Sequence, residues 1–192
     1  LKVAMVSLEN AKNIKRVLDD KLSKSQSTKT VIYSYWGDDG AIAASQMADH
    51  PKVNKVVTRV HGWDVYFNLH SPPYLPFRSL IQKKCSGIFP ISAKGKSTIR
   101  DVWKVSDVNV FTSRLGVDRQ PSREGKGDGI FTLVSCSNLI PLKRVQLIAE
   151  SVLAVTDNIK WVHFGDGQER KKIAEFIEKN KKENHEIVFL GK

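Results

Sequence analysis

Cysteine is scarce in this chain of 192 residues, which contains only Cys85 and Cys136. Two cysteines so far apart do not form a disulfide framework, and a reducing cytoplasm is the simpler environment for them. The chain also lacks an apolar run long enough to cross a bilayer, and its first residues lack the layout of a secretory signal peptide. We therefore expect a cytoplasmic protein.

The motifs of several common enzyme classes are also absent. The sequence has no Cys/His cluster with the spacing of metal ligands. It contains neither the G-x-S-x-G nucleophile elbow nor the G-x-x-x-x-G-K-[ST] phosphate loop. These absences disfavour a hydrolase and a P-loop NTPase, and they give no indication of a metal cofactor.

Acidic residues are outnumbered: 20 Asp and Glu face 31 Lys and Arg, which gives a net charge of +11. Such a balance favours anionic partners, namely nucleic acid, an acidic membrane surface or phosphorylated substrates. The basic residues are dispersed and do not alternate with aromatic residues in a nucleic-acid-binding motif. We therefore interpret the charge as attraction to diphosphates and to anionic lipid, and we expect no nucleic acid. A solvated face without function remains open for each basic cluster.

The first part of the chain alternates between patterns typical of helices and strands. The helix from Leu1 to Leu22 is amphipathic, and the strand Thr30–Trp36 is predicted to be buried. Ser92 is a candidate cap for the helix that follows it. The other predicted elements are the helix Ala41–His50, the strand Lys55–Val60, the loop Val65–Pro76, the helix Phe77–Lys84, the strand Gly87–Ile91, the helix Ala93–Val102 and the strand Asp107–Thr112.

The second part repeats this alternation after a polar, glycine-containing linker at residues 119–128. Crossovers through helices make successive strands parallel, so we predict an α/β fold with parallel sheets flanked by helices. The predicted elements are a buried strand Gly129–Ser135, a helix headed by Lys143 and Arg144, a strand Ile159–Phe164, a helix Gln168–Lys182 and a strand Ile187–Leu190.

The turns after these strands predict an anion site. Ligands of such sheets bind at the carboxyl ends of the strands, where helix N-termini favour phosphate. Lys143 adds a full charge at this edge, and Gly165 and Gly167 let a phosphate approach the backbone. The pattern is equally typical of an ordinary α/β turn with a surface lysine, and both interpretations stay open at this point.

Five segments, in order, resemble family-four glycosyltransferases, which are retaining enzymes of the GT-B type. In the first half VHGWD, at Val60–Asp64, is similar to a His-Gly-x-Asp segment of the family, and LGVD, at Leu115–Asp118, resembles the segment that links its two domains. The second half contributes VSCSNLIPLKRVQLIAESV from Val134, VHFGDGQERKKI from Val162 and VFLGK from Val188. The resemblance implies two Rossmann-like domains that face a cleft.

The resemblance also sets the expected domain boundaries. Residues 1–118 correspond to the acceptor-side domain, incomplete at its start, and residues 119–128 to the linker. Residues 129–192 correspond to the first part of the nucleotide-sugar-binding domain, without the family's paired-glutamate motif. We therefore expect the chain to be an internal fragment, which need not be active alone.

Roles for individual residues follow from the resemblance. It places Lys143 on the donor's diphosphate, Gly165 and Gly167 beside the phosphate or sugar, and His61 on the donor sugar near the reacting centre. Asp64 is a candidate for orienting His61.

Two positions depart from the family pattern. Asn138 stands where many members have an arginine, so the second cation on the phosphates is in doubt. Ser137 stands where the family often has glycine.

The function implied by the resemblance is transfer of a sugar from a nucleotide diphosphate sugar to an acceptor with retention, without a metal. The acceptor would be a saccharide or a lipid-linked molecule, in capsule, lipopolysaccharide or exopolysaccharide synthesis. A peripheral position on the inner face of the membrane would suit the basic surface. Three alternatives stay open: another GT-B activity such as sucrose or glycogen chemistry, a non-catalytic phosphate- or nucleotide-binding module, and a basic nucleic-acid binder.

Overall fold

A computed structural model of the chain describes residues 1–104, 109–121 and 129–191. The chain divides into two compact units, Leu1–Arg119 (unit 1) and Gln120–Lys192 (unit 2). Each unit contains a three-stranded parallel sheet with helices packed against it. The predicted α/β class with parallel sheets flanked by helices is confirmed.

Unit 1 contains the sheet β1-β2-β3, with all pairs parallel. Its apolar core lies between the sheet and helices and includes the fully buried Ile42, Val56, Ile81 and Ile99. Its elements are α1 (Lys2–Lys24), β1 (Thr30–Ser34), α2 (Asp39–Gln46), β2 (Val53–Val60), α3 (Gly62–Val65), α4 (Arg78–Lys84), β3 (Gly87–Pro90) and α5 (Ala93–Val102), with a 3-10 turn at Phe67–Leu69. Ser92 caps α5 as predicted, because its Oγ accepts the Gly95 N–H at 3.0 Å.

Unit 2 contains the sheet β4-β5-β6, again parallel throughout. The indole of Trp161, on the central strand, is fully buried in a core with Leu139, Ala149 and Ile173. Its elements are β4 (Phe131–Cys136), a 3-10 turn (Pro141–Lys143), α6 (Val145–Ala154), β5 (Ile159–Phe164), α7 (Arg170–Asn180) and β6 (His185–Phe189).

Two strands predicted to be buried are half exposed. β1 and β4 each lie at an edge of the described sheet, and each keeps one side open to solvent. On β1 only Ile32 is buried while Val31 and Tyr33 are exposed, and on β4 Phe131 and Val134 are exposed. The prediction was wrong because an apolar run identifies a strand but does not say how many of its faces are covered.

The first helix forms as predicted but buries less of its apolar stripe. Ala11 and Leu22 are buried, whereas Leu1, Ile14 and Val17 are exposed. No helix in the described part of the chain is long and apolar enough to cross a membrane.

The strand predicted at Asp107–Thr112 lies partly outside the described residues, as does the predicted linker at 119–128. Of the described part of that strand, Val110 forms an isolated parallel bridge with Ile88 at the edge of β3.

Candidate functional site

The carboxyl ends of β4 and β5 open into a cleft of about 450 Å³ within unit 2. The last residues of the two strands, Cys136 and Phe164, border it because parallel strands end at one edge of a sheet. The other lining residues belong to the segments that follow the strands: Ser137, Asn138, Lys143, Gly165 and Gly191. The cleft thus collects most of the residues predicted for the donor site.

Lys143 lies at the end of the 3-10 turn rather than at the head of a helix, which corrects the prediction. Arg144 adopts a left-handed conformation with φ 54°, and α6 begins only at Val145. The turn forms because Pro141 fixes its own φ and Lys143 N–H donates to the Ile140 carbonyl at 3.0 Å. The Lys143 side chain is exposed, and its ammonium has neither an ion pair nor a hydrogen bond among the described residues. It is therefore a cation free to meet an anion in the cleft.

Asn138 and Ser137 also line the cleft. The backbone on either side of Asn138 is fixed, since Ser137 N–H donates to the Phe164 carbonyl and Leu139 N–H to the Asp166 carbonyl, both at 3.0 Å. Leu139 is fully buried, which anchors this turn in the core. The exposed amide of Asn138 makes no side-chain hydrogen bond within residues 129–191, so its donors and its acceptor are available to a ligand.

Gly165 lines the cleft where no other residue fits. Its φ of +138° disfavours any side chain, and a Cβ there would lie 2.0 Å from the Ser137 carbonyl oxygen. Its N–H donates to the Gly191 carbonyl at 2.7 Å. Gly165 therefore provides space at the edge of the cleft and no free hydrogen-bond donor.

Gly167 does not line the cleft. A Cβ at this position would lie 2.4 Å from the Leu139 carbonyl oxygen, which itself accepts the Glu169 N–H at 3.0 Å. The absence of a side chain lets the entry to α7 pack directly on the turn that carries Asn138. Gly167 thus supports the turn that carries Asn138 without bordering the cleft itself.

His163 holds the wall of the cleft from inside the sheet. It is fully buried, and its Nε2 lies 3.1 Å from the Ser137 carbonyl oxygen. A carbonyl only accepts, so Nε2 carries the proton and Nδ1 accepts from Ser135 Oγ at 2.8 Å. Ser135 Oγ in turn accepts the Trp161 Nε1–H at 2.9 Å. These hydrogen bonds hold the imidazole against the Ser137 turn.

His61 lies in unit 1 at the carboxyl end of β2. The residue is 8% exposed, its ring packs against Trp36 with 4.1 Å between ring centroids, and it borders a small cavity of about 160 Å³ with Tyr66 and Ser92. Neither ring nitrogen has a hydrogen-bond partner in the described part of the chain. Buried polar atoms are rarely left unpaired in native proteins, so this ring is a candidate for contact with a ligand.

Asp64 fixes the backbone around His61. Its Oδ1 accepts the His61 N–H and its Oδ2 accepts the Gly37 N–H, both at 2.5 Å. Burial raises the pKa of this carboxyl above its ordinary value, although the backbone hydrogen bonds act in the opposite direction. Asp64 therefore ties the end of β1 to the turn that carries His61.

Arg78 completes this tie and was not identified from the sequence. The buried guanidinium donates through Nη1 to the carbonyls of Gly37 and Asp64, and through Nε to the Pro76 carbonyl. Burial lowers its pKa to about 10, so the group remains charged at neutral pH. An arginine at a helix start after a proline-rich loop gave no sequence signal for this role.

Three residues of the unit 2 cleft were also missed. Cys136 and Phe164 are the last residues of β4 and β5, and their position at the strand ends was the available signal. Gly191 follows β6 and has a positive φ of 71°. It meets Gly165 in an antiparallel bridge, a contact that the sequence does not indicate.

No protein-family model matches the chain, and no curated protein matches it significantly in sequence. The fold does match solved structures of GT-B glycosyltransferases. A mutant of Staphylococcus aureus TarM, in complex with fondaparinux, alpha-GlcNAc-glycerol and UDP, matches with a TM-score of 0.63 and 19% identity over 93% of this chain and 36% of TarM.

Two further structures give similar matches. The lipopolysaccharide outer core galactosyltransferase WaaB, in its apo form, has a TM-score of 0.67 and 12% identity, covering 100% of this chain and 50% of WaaB. HepE from Anabaena, in complex with UDP and glucose, has a TM-score of 0.58 and 16% identity, covering 84% of this chain and 47% of HepE. The chain thus spans half or less of the length of these proteins, and at such identities the match shows a shared GT-B fold.

Proposed function

We propose that this chain is part of a glycosyltransferase that moves a sugar from a nucleotide diphosphate sugar to an acceptor with retention of configuration. The observation that carries the proposal is the cleft at the carboxyl ends of β4 and β5. There Lys143 and the amide of Asn138, whose side chains have no partner among the described residues, line the cleft together with Gly165, where a side chain would not fit. The solved structures of TarM and HepE with UDP make a nucleotide diphosphate the first ligand to test.

In this proposal Lys143 binds the diphosphate and stabilises the negative charge that builds up as it leaves the sugar. α6 begins directly after this turn, at Val145, and the partial positive charge of a helix N-terminus favours an anion. Asn138 donates an uncharged hydrogen bond where the family has a second cation. The sugar reaches a transition state with oxocarbenium character, and no metal is required.

His61 is proposed to contact the donor sugar through its unpaired ring nitrogens, with Asp64 and Arg78 as positioning residues. An uncharged imidazole can both donate to and accept from sugar hydroxyls. The proposed acceptor is a saccharide or a lipid-linked molecule used in cell-surface polysaccharide synthesis. The basic surface would support peripheral binding to anionic lipid on the cytoplasmic side of a membrane.

Calorimetric titration of UDP, GDP and ADP into the full chain tests the donor site. We expect one nucleotide to bind saturably. Lys143→Ala should weaken it by about 10- to 100-fold, the loss expected for a charge-assisted hydrogen bond of about 1.5–3 kcal/mol. Lys171→Ala is the matched control, because it removes the same charge from an exposed position on α7 outside the cleft.

Equal losses of nucleotide affinity in Lys143→Ala and Lys171→Ala would contradict a specific role for Lys143. Nucleotide binding without sugar transfer to any acceptor would favour the non-catalytic binding module instead. Where transfer is found, the anomeric configuration of the product decides between retention and inversion.

A further inference from the structure

A separate cavity of about 300 Å³ lies in unit 1, bordered by the turn between β1 and α2 and by the segment from Trp63 to Arg78. Its volume is at the lower end of the range of about 300–1,000 Å³ that is typical of small-molecule sites. We refer to it as the carboxylate cavity, because three aspartates, Asp38, Asp39 and Asp64, line it. The proposed donor site shares Asp64 and Arg78 with its wall but places no ligand in it.

Two exposed aromatic side chains border the carboxylate cavity. Trp63 is 61% exposed and Tyr74 is 46% exposed. Trp63 is held in place by His70, whose Nε2 donates to the Trp63 carbonyl at 2.6 Å and whose ring packs 4.3 Å from the indole. An indole fixed in position and open to solvent offers a ring face with negative potential, which attracts the polarised C–H groups of a sugar ring.

The carboxylates offer acceptors that the protein does not use. Asp38 accepts the Gly40 N–H through Oδ1 at 3.0 Å, and Asp39 accepts the Asn10 amide through Oδ2 at 2.8 Å. The second oxygen of each has no hydrogen-bond partner in the described ranges, so each is oriented by one oxygen and open at the other. A hydroxyl group is a natural donor for such an oxygen. No group of three or more acidic, histidine or cysteine side chains among the described residues is placed to hold a metal ion.

Arg78 adds donors to the same cavity. Its Nε and Nη1 are engaged with backbone carbonyls, whereas Nη2 makes no hydrogen bond with any described residue. The cavity therefore presents acceptors and donors together, as hydroxyl groups require because they both donate and accept. Three carboxylates against one guanidinium leave an excess of negative charge here, in a chain whose net charge is +11. An anionic ligand is disfavoured at this place.

We propose that the carboxylate cavity binds a sugar ring without negative charge, stacked on Trp63 and hydrogen-bonded to Asp38, Asp39 and Arg78, and that this sugar belongs to the acceptor. The acceptor role rests on the proposed transferase activity, whereas the binding of sugar does not. The sugar unit of the acceptor that enters this cavity then carries no negative charge. Affinity comes from one aromatic face and a few oriented polar groups, so it is in the millimolar range for a single sugar.

The test is a titration of the full chain, followed through the indole N–H signals of its four tryptophans in nitrogen-labelled protein. The probes are glucose, galactose, mannose and N-acetylglucosamine, with glucuronate as the negatively charged counterpart of glucose. We expect at least one neutral sugar to shift the Trp63 signal saturably, to leave the buried Trp161 signal unchanged and to bind at least tenfold more tightly than its charged counterpart. Asp39→Asn should weaken binding by about tenfold, and Trp63→Ala should abolish it.

Tyr33→Ala is the control, because it removes an exposed aromatic side chain on β1 that does not border the cavity. Asp38→Asn provides a second variant for the event that Asp39→Asn disturbs the contact with Asn10. No shift at Trp63 with any neutral sugar at 100 mM, or equal binding of glucuronate, would overturn the proposal. A UDP titration on the same sample keeps the two proposals apart: sugar binding without nucleotide binding supports the cavity and contradicts only the donor site.

Discussion

Ser135 is the residue on which the wall of the unit 2 cleft depends. Its hydroxyl accepts a hydrogen bond from Trp161 and donates one to His163, and His163 Nε2 donates one to the Ser137 carbonyl beside the cleft. Trp161, Ser135, His163 and Ser137 are all buried or half-buried, and the three hydrogen bonds link each of them to the next. Removal of the central hydroxyl breaks two hydrogen bonds at once.

Ser135→Ala should therefore lower the free energy of unfolding by about 2–3 kcal/mol, because it leaves a buried indole N–H and an imidazole nitrogen unpaired. Urea denaturation measures the loss. Ser151→Ala is the matched control: its hydroxyl bonds the Leu147 carbonyl on an exposed helix face, and its removal should cost under about 0.5 kcal/mol. Similar losses in both variants would contradict the role of the Ser135 network.

Gly165 is the second residue at which a single change is decisive. Gly165→Ala places a Cβ 2.0 Å from the Ser137 carbonyl oxygen at a φ of +138°, so both strain and collision oppose it. We expect a loss of more than about 3 kcal/mol in thermal or urea unfolding, together with loss of nucleotide binding. Gly129→Ala separates the two causes, since that glycine also has a positive φ, +80°, but open space around it. Gly129→Ala should lower the free energy of unfolding by only about 1 kcal/mol.

At the scale of the element, the turns after the parallel strands carry the residues of the proposed sites. In unit 1 the end of β1, the short helix α3 and the start of α4 are joined through Asp64 and Arg78. Gly37, Asp64 and Arg78 are 14 to 41 residues apart in sequence, yet the two side chains hold these segments together. The arrangement fixes the backbone of His61 and one wall of the carboxylate cavity at the same time.

Arg78→Lys should lower the free energy of unfolding of unit 1 by about 2–3 kcal/mol. A lysine keeps the charge but cannot reproduce the fork that reaches the carbonyls of Gly37, Asp64 and Pro76. Urea denaturation measures the effect. Arg16→Lys, at an exposed position on α1 with one bond to Asn13, should change stability by less than about 0.5 kcal/mol. If Arg78→Lys left the free energy of unfolding unchanged, the forked hydrogen bonding of the guanidinium would not be needed for stability.

The buried carboxyl of Asp64 also predicts a pH dependence. Its pKa is raised above 3.8 by burial, so the folded protein holds the proton more tightly than the unfolded chain does. This contribution to stability is present in full below pH 3.8 and is lost as the pH rises through the folded pKa. We compare the free energy of unfolding of the unmutated protein with that of Asp64→Asn. The difference, unmutated minus variant, should decrease as the pH rises from 3.8 through the folded pKa of Asp64, and stay constant above it. Urea denaturation of both proteins at pH 3.5 to 7 measures it; a difference that rises with pH would contradict the direction of the shift.

At the scale of the whole molecule, the net charge of +11 raises the alternative of a nucleic-acid binder. We expect a 20-base-pair duplex to bind the chain only weakly, with a dissociation constant above about 1 µM at 150 mM salt, as for non-specific contacts. Binding curves at 50 and 200 mM salt measure the contacts made. Tight binding that falls by about 10³- to 10⁵-fold between these two salt concentrations would indicate 6–10 phosphate contacts and favour the nucleic-acid alternative.

Much of the order of elements could be read from periodicity alone. The strand Ile159–Phe164 and the helix Ala93–Val102 have the predicted bounds, because each has a clear apolar pattern with a break at both ends. The start of α6 was misplaced because Arg144 adopts a left-handed conformation that its residue type does not announce. The exposed faces of β1 and β4 escaped prediction because burial depends on neighbouring elements and not on the strand itself.

The sequence by itself determined the alternation of strands and helices and the α/β class, because hydrophobic period and turn residues are local properties. The anion site at the strand ends stays a prediction from the same turns. Only the tertiary structure decided that Lys143 has no partner among the described residues, that Gly167 packs against the turn carrying Asn138, and that Arg78 joins three backbone segments. It also brought Trp63 beside the carboxylates of Asp38 and Asp39. These facts depend on contacts between residues distant in the chain, and a single sequence does not encode such contacts in any readable pattern.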